Sequence, residues 1–352
     1  MAPSEDYKTF SLGDWELKSG EKLTNAHIAY TTFGDPKSPA ILYPSWFSGL
    51  ISDNFWLIGE DKTLNPKKYF IIVTALFGNG QSTSPSNHPA RPFPACDVYD
   101  NVRAQHHLVT KHLGITHLRA VTGWSMGGGQ TFQWATQYPD FVDLIVPFCG
   151  AARTSVHNQV FLEGVKSAML AGKRIKSAGS GKIGVAAGGR ELESWTAEEK
   201  EVGMKAFGRG YAGWGFSQAF YRERLYEKAM GFKDLEDFMV NYWEKWACSK
   251  DPENMLLMIQ TWQNADVSNQ EPYNGDLAKA MGAIKAKAMV APSKTDLYFP
   301  PEDSEYEVAN MQPGIGRLEV FPSIWGHWAG GPGVNPEDVK WLDQKMAAFF
   351  EE

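Results

Sequence analysis

Ser125 stands on an unusually bare turn. The surrounding run, LRAVTGWSMGGGQTFQWA (118–135), places it between Gly123 and Gly127, with Gly128 and Gly129 following, and so fits Gly-x-Ser-x-Gly. An apolar β-type run (Leu118, Ala120, Val121) enters the turn and a helix-type run (Thr131 to Gln137) leaves it. A strand that turns sharply into a helix puts the serine hydroxyl at an exposed tip in a strained backbone conformation, and side chains flanking so tight a turn would collide. The helix that follows aims its free N–H groups and positive dipole end at the tip. That arrangement suits acyl transfer, in which negative charge grows on a carbonyl oxygen, and the Met126 N–H is one expected oxyanion donor.

A serine nucleophile needs a base, and the base an orienting acid. On a strand–elbow–helix scaffold the chain order is Ser, acid, His. Two histidines follow Ser125. His157 comes too early, whereas His327 lies in SIWGHWAGGPG, a glycine-rich loop just past the strand-like RLEVF (317–321). Asp296 ends the strand-like AMVAPSKTD and is the expected acid; Glu302, Asp303 and Glu305 fall in what reads as the start of a helix, where they serve as caps. The second oxyanion donor is expected from the loop YPSWFSG (43–49), as the N–H of Trp46 or Phe47. Trp46, Trp124 and Trp328 each adjoin one of these positions, which points to a pocket with aromatic walls.

These groups need a scaffold that brings the ends of distant strands together. Segments 24–34, 40–49, 69–80, 141–150, 283–296 and 317–323 read as strands, and 96–114 reads as a helix that Asp97 can cap. Strand and helix alternate to about residue 155, predicting a mainly parallel sheet with helices on both faces. From 156 to 282 the pattern is helical and rich in tryptophan. The strand pattern then returns, and Asn335-Pro336 opens a last helix. The expected organisation is therefore one α/β core, residues 1–155 and 283–352, interrupted by a helical cap at 156–282. GSGK (179–182) is not a phosphate loop: Ile183 stands where Ser or Thr is required, and Lys176 where the first glycine belongs.

Composition narrows the classes. Of 352 residues, 43% are hydrophobic and 21% charged, and the net charge is −7, with no basic stripe for nucleic acid. No apolar run approaches the roughly 20 residues of a membrane helix, and MAPSEDYKTF lacks the apolar core of a secretory signal. Cys96, Cys149 and Cys248 are odd in number and scattered, which fits a reducing, cytoplasmic setting and neither a disulfide scaffold nor a metal site.

Several motifs together resemble the homoserine O-acetyltransferase family of the α/β-hydrolase superfamily: RAQHHLVTKHLGITHLRAVTGWSMGGGQTFQWATQYPD, NPKKYFIIVTALFGNGQSTSPSNHP, SKTDLYFPPED and SIWGHWAG. The resemblance covers residues 25–155 and 285–330. It implies an α/β-hydrolase fold with a helical cap, a dimer formed through that cap, and an acylated serine. By motif it makes Ser125 the nucleophile, Asp296 the acid, His327 the base, and Phe47 and Met126 the oxyanion donors; it also matches Arg209 to an arginine that grips the substrate carboxylate. Two departures matter. The family's H-x-L-T-G oxyanion segment is here Ser45-Trp46-Phe47-Ser48-Gly49, and the acidic residue expected after the histidine is Trp328. The expected function is thus a serine hydrolase that cleaves a small ester or thioester without metal or cofactor. The alternatives are an O-acyltransferase using acyl-CoA and a non-catalytic ligand-binding relative.

Overall fold

The computed structural model describes residues 7–173 and 195–352. The glycine-rich GSGK segment lies outside them. The described residues form an eight-stranded sheet from β1 (Lys8–Glu16), β2 (Lys22–Phe33), β3 (Ala40–Pro44), β4 (Phe70–Thr74), β5 (Leu118–Trp124), β6 (Val142–Phe148), β7 (Lys287–Val290) and β8 (Gly316–Leu318). The order is β1-β2-β4-β3-β5-β6-β7-β8; β1 and β2 are antiparallel to their neighbours, and every pairing from β4 to β8 is parallel. The mainly parallel sheet is as expected from the alternation of elements.

β3 and β4, AILYP and FIIVT, are buried along their whole length because both faces are covered. Ile41 and Tyr43 of β3, with Ile71 and Val73 of β4, face a core shared with the cap and the C-terminal helix. Leu42, Phe70 and Ile72 point the other way, toward Val98 and Val102 of α1 (Val98–His107) and Phe132 and Trp134 of α2 (Met126–Gln137). Asp97 caps α1 by accepting from the Asp100 N–H at 2.9 Å.

The described residues between β6 and β7 are mainly helical and include α3 (Val156–Ala171), α4 (Ala197–Gly215) and α5 (Pro252–Gln263). After β7 come α6 (Pro301–Ala309) and α7 (Pro336–Phe350). The two ends of the insertion are clasped together. Arg153 pairs with Asp266 at 2.8 Å, the Thr154 N–H donates to the Ala265 carbonyl at 2.9 Å, and the Val267 N–H donates to the Ala152 carbonyl at 3.0 Å.

Two strands depart from the sequence reading. β1 went unread because it is a half-exposed edge strand: its apolar side chains, Phe10, Leu12 and Trp15, are only partly buried, and register shifts on either side of Gly13 break their alternation. The strand at 317–323 is regular only over Gly316–Leu318; Phe321 makes a single bridge to Ser293, which holds the base-bearing loop beside the acid-bearing one.

Candidate active site

The elbow is strained as its sequence predicts. Ser125 has φ 58° and ψ −125°, a conformation that non-glycine residues rarely hold. It persists because its neighbours fix it: the Ser125 N–H donates to the Phe148 carbonyl at 3.0 Å, and its carbonyl accepts from the Gly129 N–H at 3.1 Å. The two flanking glycines have different reasons. A Cβ on Gly123 would lie 2.5 Å from the Gly127 backbone, a collision across the turn itself. A Cβ on Gly127 would lie 2.5 Å from the Pro44 carbonyl oxygen. Gly127 therefore lets the first turn of α2 press against the end of β3, where the loop 45–49 begins.

The structure brings Ser125, His327 and Asp296 together at the carboxyl ends of β5, β7 and β8. His327 Nε2 lies 2.9 Å from Ser125 Oγ, and His327 Nδ1 lies 2.7 Å from Asp296 Oδ2. All three are buried. A carboxylate only accepts, so Nδ1 carries the ring proton and Nε2 is left to accept from the serine hydroxyl. The other carboxylate oxygen, Oδ1, accepts from the Tyr298 N–H at 2.8 Å and the Phe299 N–H at 3.1 Å. Both oxygens of the acid are thereby assigned, and the ring has one orientation.

Aromatic rings hold the base. The His327 imidazole stacks on Trp124 with centroids 4.8 Å apart and meets the edge of Tyr298 at 4.8 Å. The Trp124 indole N–H donates to the His327 carbonyl at 3.0 Å. Trp124, expected as a pocket wall, thus carries the histidine from below. Trp46 abuts Trp124 at 4.9 Å, and Trp328 abuts it from another side at 5.6 Å. The Trp328 N–H donates to the Tyr242 hydroxyl at 2.7 Å, and its ring packs on Phe216 and Trp243 of the cap.

Cys149 is a second potential nucleophile close by. Burial, reinforced by the Asp296 charge, pushes its thiol well above the usual range, and its S–H donates to the Ala329 carbonyl at 3.3 Å. A buried neutral thiol is inert.

The other side of Ser125 is built from backbone. Met126 is the first residue of α2, so its N–H has no partner in the helix ladder. In the loop, Ser48 takes φ 61°, and the chain folds back so that the Gly49 N–H donates to the Trp46 carbonyl at 3.0 Å. Side chains then pin the loop: Ser45 Oγ and Asn79 Nδ2 both donate to the Gly49 carbonyl at 3.0 Å, and Lys250 Nζ, from the cap, donates to the Ser48 carbonyl at 2.9 Å. The Phe47 ring stacks on Tyr211 of α4 at 5.8 Å and 7° and packs against Trp262 of α5.

Arg209 is the residue that the structure does not bring in. On α4, Phe207 and Tyr211 face the loop through Phe47, and a residue two positions from each points the opposite way. Arg209 is 40% exposed there and its guanidinium is taken up by Glu236 and Glu244. The match to a carboxylate-gripping arginine is corrected on that ground: the helix is the expected one, but the face is wrong. Sequence reasoning also missed the pinning residues Lys250, Asn79 and Gln130. None of the three carries a local signal; on α2, Thr131, Gln133 and Thr136 are buried polar residues as well.

Among the described residues no group of three or more His, Cys, Asp or Glu could hold a metal ion. Nor, among them, is any helix long and apolar enough to cross a membrane.

Comparison with known proteins agrees with this architecture. The family model for the alpha/beta hydrolase fold matches residues 41–163. An ethyl acetate hydrolase of Pseudomonas veronii is 34% identical over 98% of this chain and 95% of its own. The crystal structure of an acetylester hydrolase from Corynebacterium glutamicum superposes with a TM-score of 0.89 at 33% identity, covering 98% of this chain and 96% of that one. A homoserine O-acetyltransferase of Trichormus variabilis is 26% identical over 89% of this chain and 86% of its own. The chain belongs to the α/β-hydrolase superfamily, within the group of ester hydrolases and acyltransferases formed by these esterases and the homoserine O-acetyltransferases.

Proposed function

We propose that the chain is a serine carboxylic-ester hydrolase that cleaves a small, uncharged ester through an acyl-enzyme intermediate. The observation that carries this is the buried hydrogen-bond chain Ser125–His327–Asp296. In this mechanism His327 Nε2 takes the Ser125 proton as Oγ attacks the ester carbonyl. Asp296 stabilises the imidazolium that forms, without itself being protonated. The Met126 and Phe47 N–H groups receive the oxyanion. His327 then protonates the leaving alkoxide, and the acyl group stays on Ser125. Water, activated by the same histidine, attacks the acyl-enzyme and releases the acid.

Hydrolysis is preferred to transfer because of position 328. A transferase that takes an amino-acid acceptor must hold its charged ends, yet Trp328 is buried in an aromatic cluster with its N–H committed to Tyr242. Arg209, the cation that would have met an acceptor carboxylate, is paired away. Both observations favour a neutral substrate. An apolar, aromatic surround suits a short acyl chain, and the related proteins named for ethyl acetate and acetyl esters point in the same direction. A cytoplasmic location goes with this reading and is supported by three free cysteines, two of them buried.

The test is a partition experiment. The protein is given aryl esters of increasing acyl length, or acetyl-CoA, with and without homoserine and simple alcohols, and the products are weighed by mass spectrometry. Free acid should dominate whatever alcohol is present, with acetate esters turned over fastest. Predominance of an acylated alcohol would make the chain a transferase and overturn the preference for water.

A further inference from the structure

Gln130 sits where an amide is costly. It is on α2, one helical turn beyond Met126, and is fully buried, as are Gln105 of α1 and Trp134 of α2. A buried amide destabilises the fold unless its hydrogen bonds are made. Here they are made in one unbroken line. The Trp134 indole N–H donates to Gln105 Oε1 at 2.7 Å, and Gln105 Nε2 donates to Gln130 Oε1 at 2.6 Å. Gln130 Nε2 then donates to two backbone carbonyls, Ser45 at 2.8 Å and Met126 at 3.1 Å. An indole N–H can only donate and a carbonyl can only accept, so the orientation of both amides is forced from the two ends of the line.

The two carbonyls at the end of that line belong to the two halves of the oxyanion site. Met126 carries one donor N–H. Ser45 heads the loop whose Trp46–Phe47 amide carries the other. A single –NH₂ group therefore bridges Ser45 and Met126, 81 residues apart in sequence, on segments whose N–H groups must converge on one oxygen atom. We infer that Gln130 is a positioning residue for the oxyanion site, setting the spacing of its two donors while touching neither substrate nor the reacting atoms. The inference rests on the serine-nucleophile reading above. It accounts for a buried polar line that neither the triad nor the packing requires.

The effect should appear in the transition state and not in substrate binding. A small displacement of an oxyanion donor is expected to cost roughly 10- to 100-fold in kcat, because the oxygen becomes a strong acceptor only as the tetrahedral species forms. Gln130→Met, which keeps the volume and removes the amide, is measured on 4-nitrophenyl acetate with active sites counted by a fluorophosphonate. The expected result is that fall in kcat with KM within about two-fold. Affinity for a trifluoromethyl ketone, which adds to the serine as a tetrahedral hemiketal, should fall by the same factor as kcat/KM. Wild-type kcat and ketone affinity would overturn the inference, as would a lowered Tm with kcat per active site unchanged. Should Gln130→Met fail to fold, Gln105→Met is read by the same criteria: a smaller kcat loss with KM held supports the line, and wild-type kcat overturns it. Ser125→Ala runs alongside. If that variant still turns over the ester, the nucleophile reading itself fails, and the inference falls with it for a different and recognisable reason.

Discussion

The two sides of Ser125 are held in different ways. On the base side, three side chains carry the proposed chemistry, and each contact is a side-chain hydrogen bond or a ring stacked on the imidazole. On the oxyanion side the proposed working groups are backbone N–H, and the side chains there (Gln130, Ser45, Asn79 and Lys250) act only by holding carbonyls of the same loop and turn. Where a side chain is the reagent, its identity is irreplaceable. Where the backbone is the reagent, many weaker contacts share the work of placing it. Substitutions on the base side should thus be catastrophic one at a time, and those on the oxyanion side graded.

The largest effect short of removing the serine is expected at Asp296→Asn. The Tyr298 and Phe299 N–H groups will keep the amide oxygen at the Oδ1 position, since only an oxygen can accept from them. The amide nitrogen then faces His327 Nδ1 and drives the ring proton to Nε2, the wrong tautomer. The fold is retained and kcat should fall on the order of 10⁴-fold. A drop of only a few-fold would mean that the acid does little to orient the base.

A graded response should be seen at Lys250. Its bond to the Ser48 carbonyl crosses from the cap to the oxyanion loop. A bond from a charged donor is worth roughly 1.5–3 kcal/mol, and partial exposure reduces that. Lys250→Met should lower kcat about three- to ten-fold, and Lys250→Arg should restore most of it. A loss as large as that of Asp296→Asn would erase the contrast between the two sides.

The smallest effect is expected at Arg209→Ala. Its partners are Glu236, which is exposed, and Glu244, which is buried, and both hold it away from the loop, so its loss bears on the stability of the cap more than on catalysis. Steady-state kinetics should give kcat/KM within about two-fold of wild type. A large rise in KM would return Arg209 to the substrate site.

The same asymmetry explains what the sequence could tell. The meeting of Ser125, Asp296 and His327 was legible because each has a residue type that the proposed chemistry requires and a place that chain order requires: a serine between glycines, an acid after one strand, a histidine after the next. The fold was legible because strand and helix alternate on either side of the insertion. Arg209 was misread because helical periodicity locates a helix without saying which face meets the core; Phe207 and Tyr211 settle that only through their contacts with Phe47. The Gln130 line joins three residues on two helices to a carbonyl in a distant loop, and no local pattern encodes a hydrogen bond to a backbone atom. β1 escaped notice because an edge strand is specified by its partner more than by its own apolar residues.

The central claim is that Ser125 carries the acyl group. Rapid acid quenching of the enzyme during turnover of 4-nitrophenyl acetate, followed by peptide mass mapping, tests it most directly. One acetyl group on Ser125, absent in Ser125→Ala, is the predicted result. Continued release of nitrophenol with the acetyl group on another residue, or on none, would contradict it.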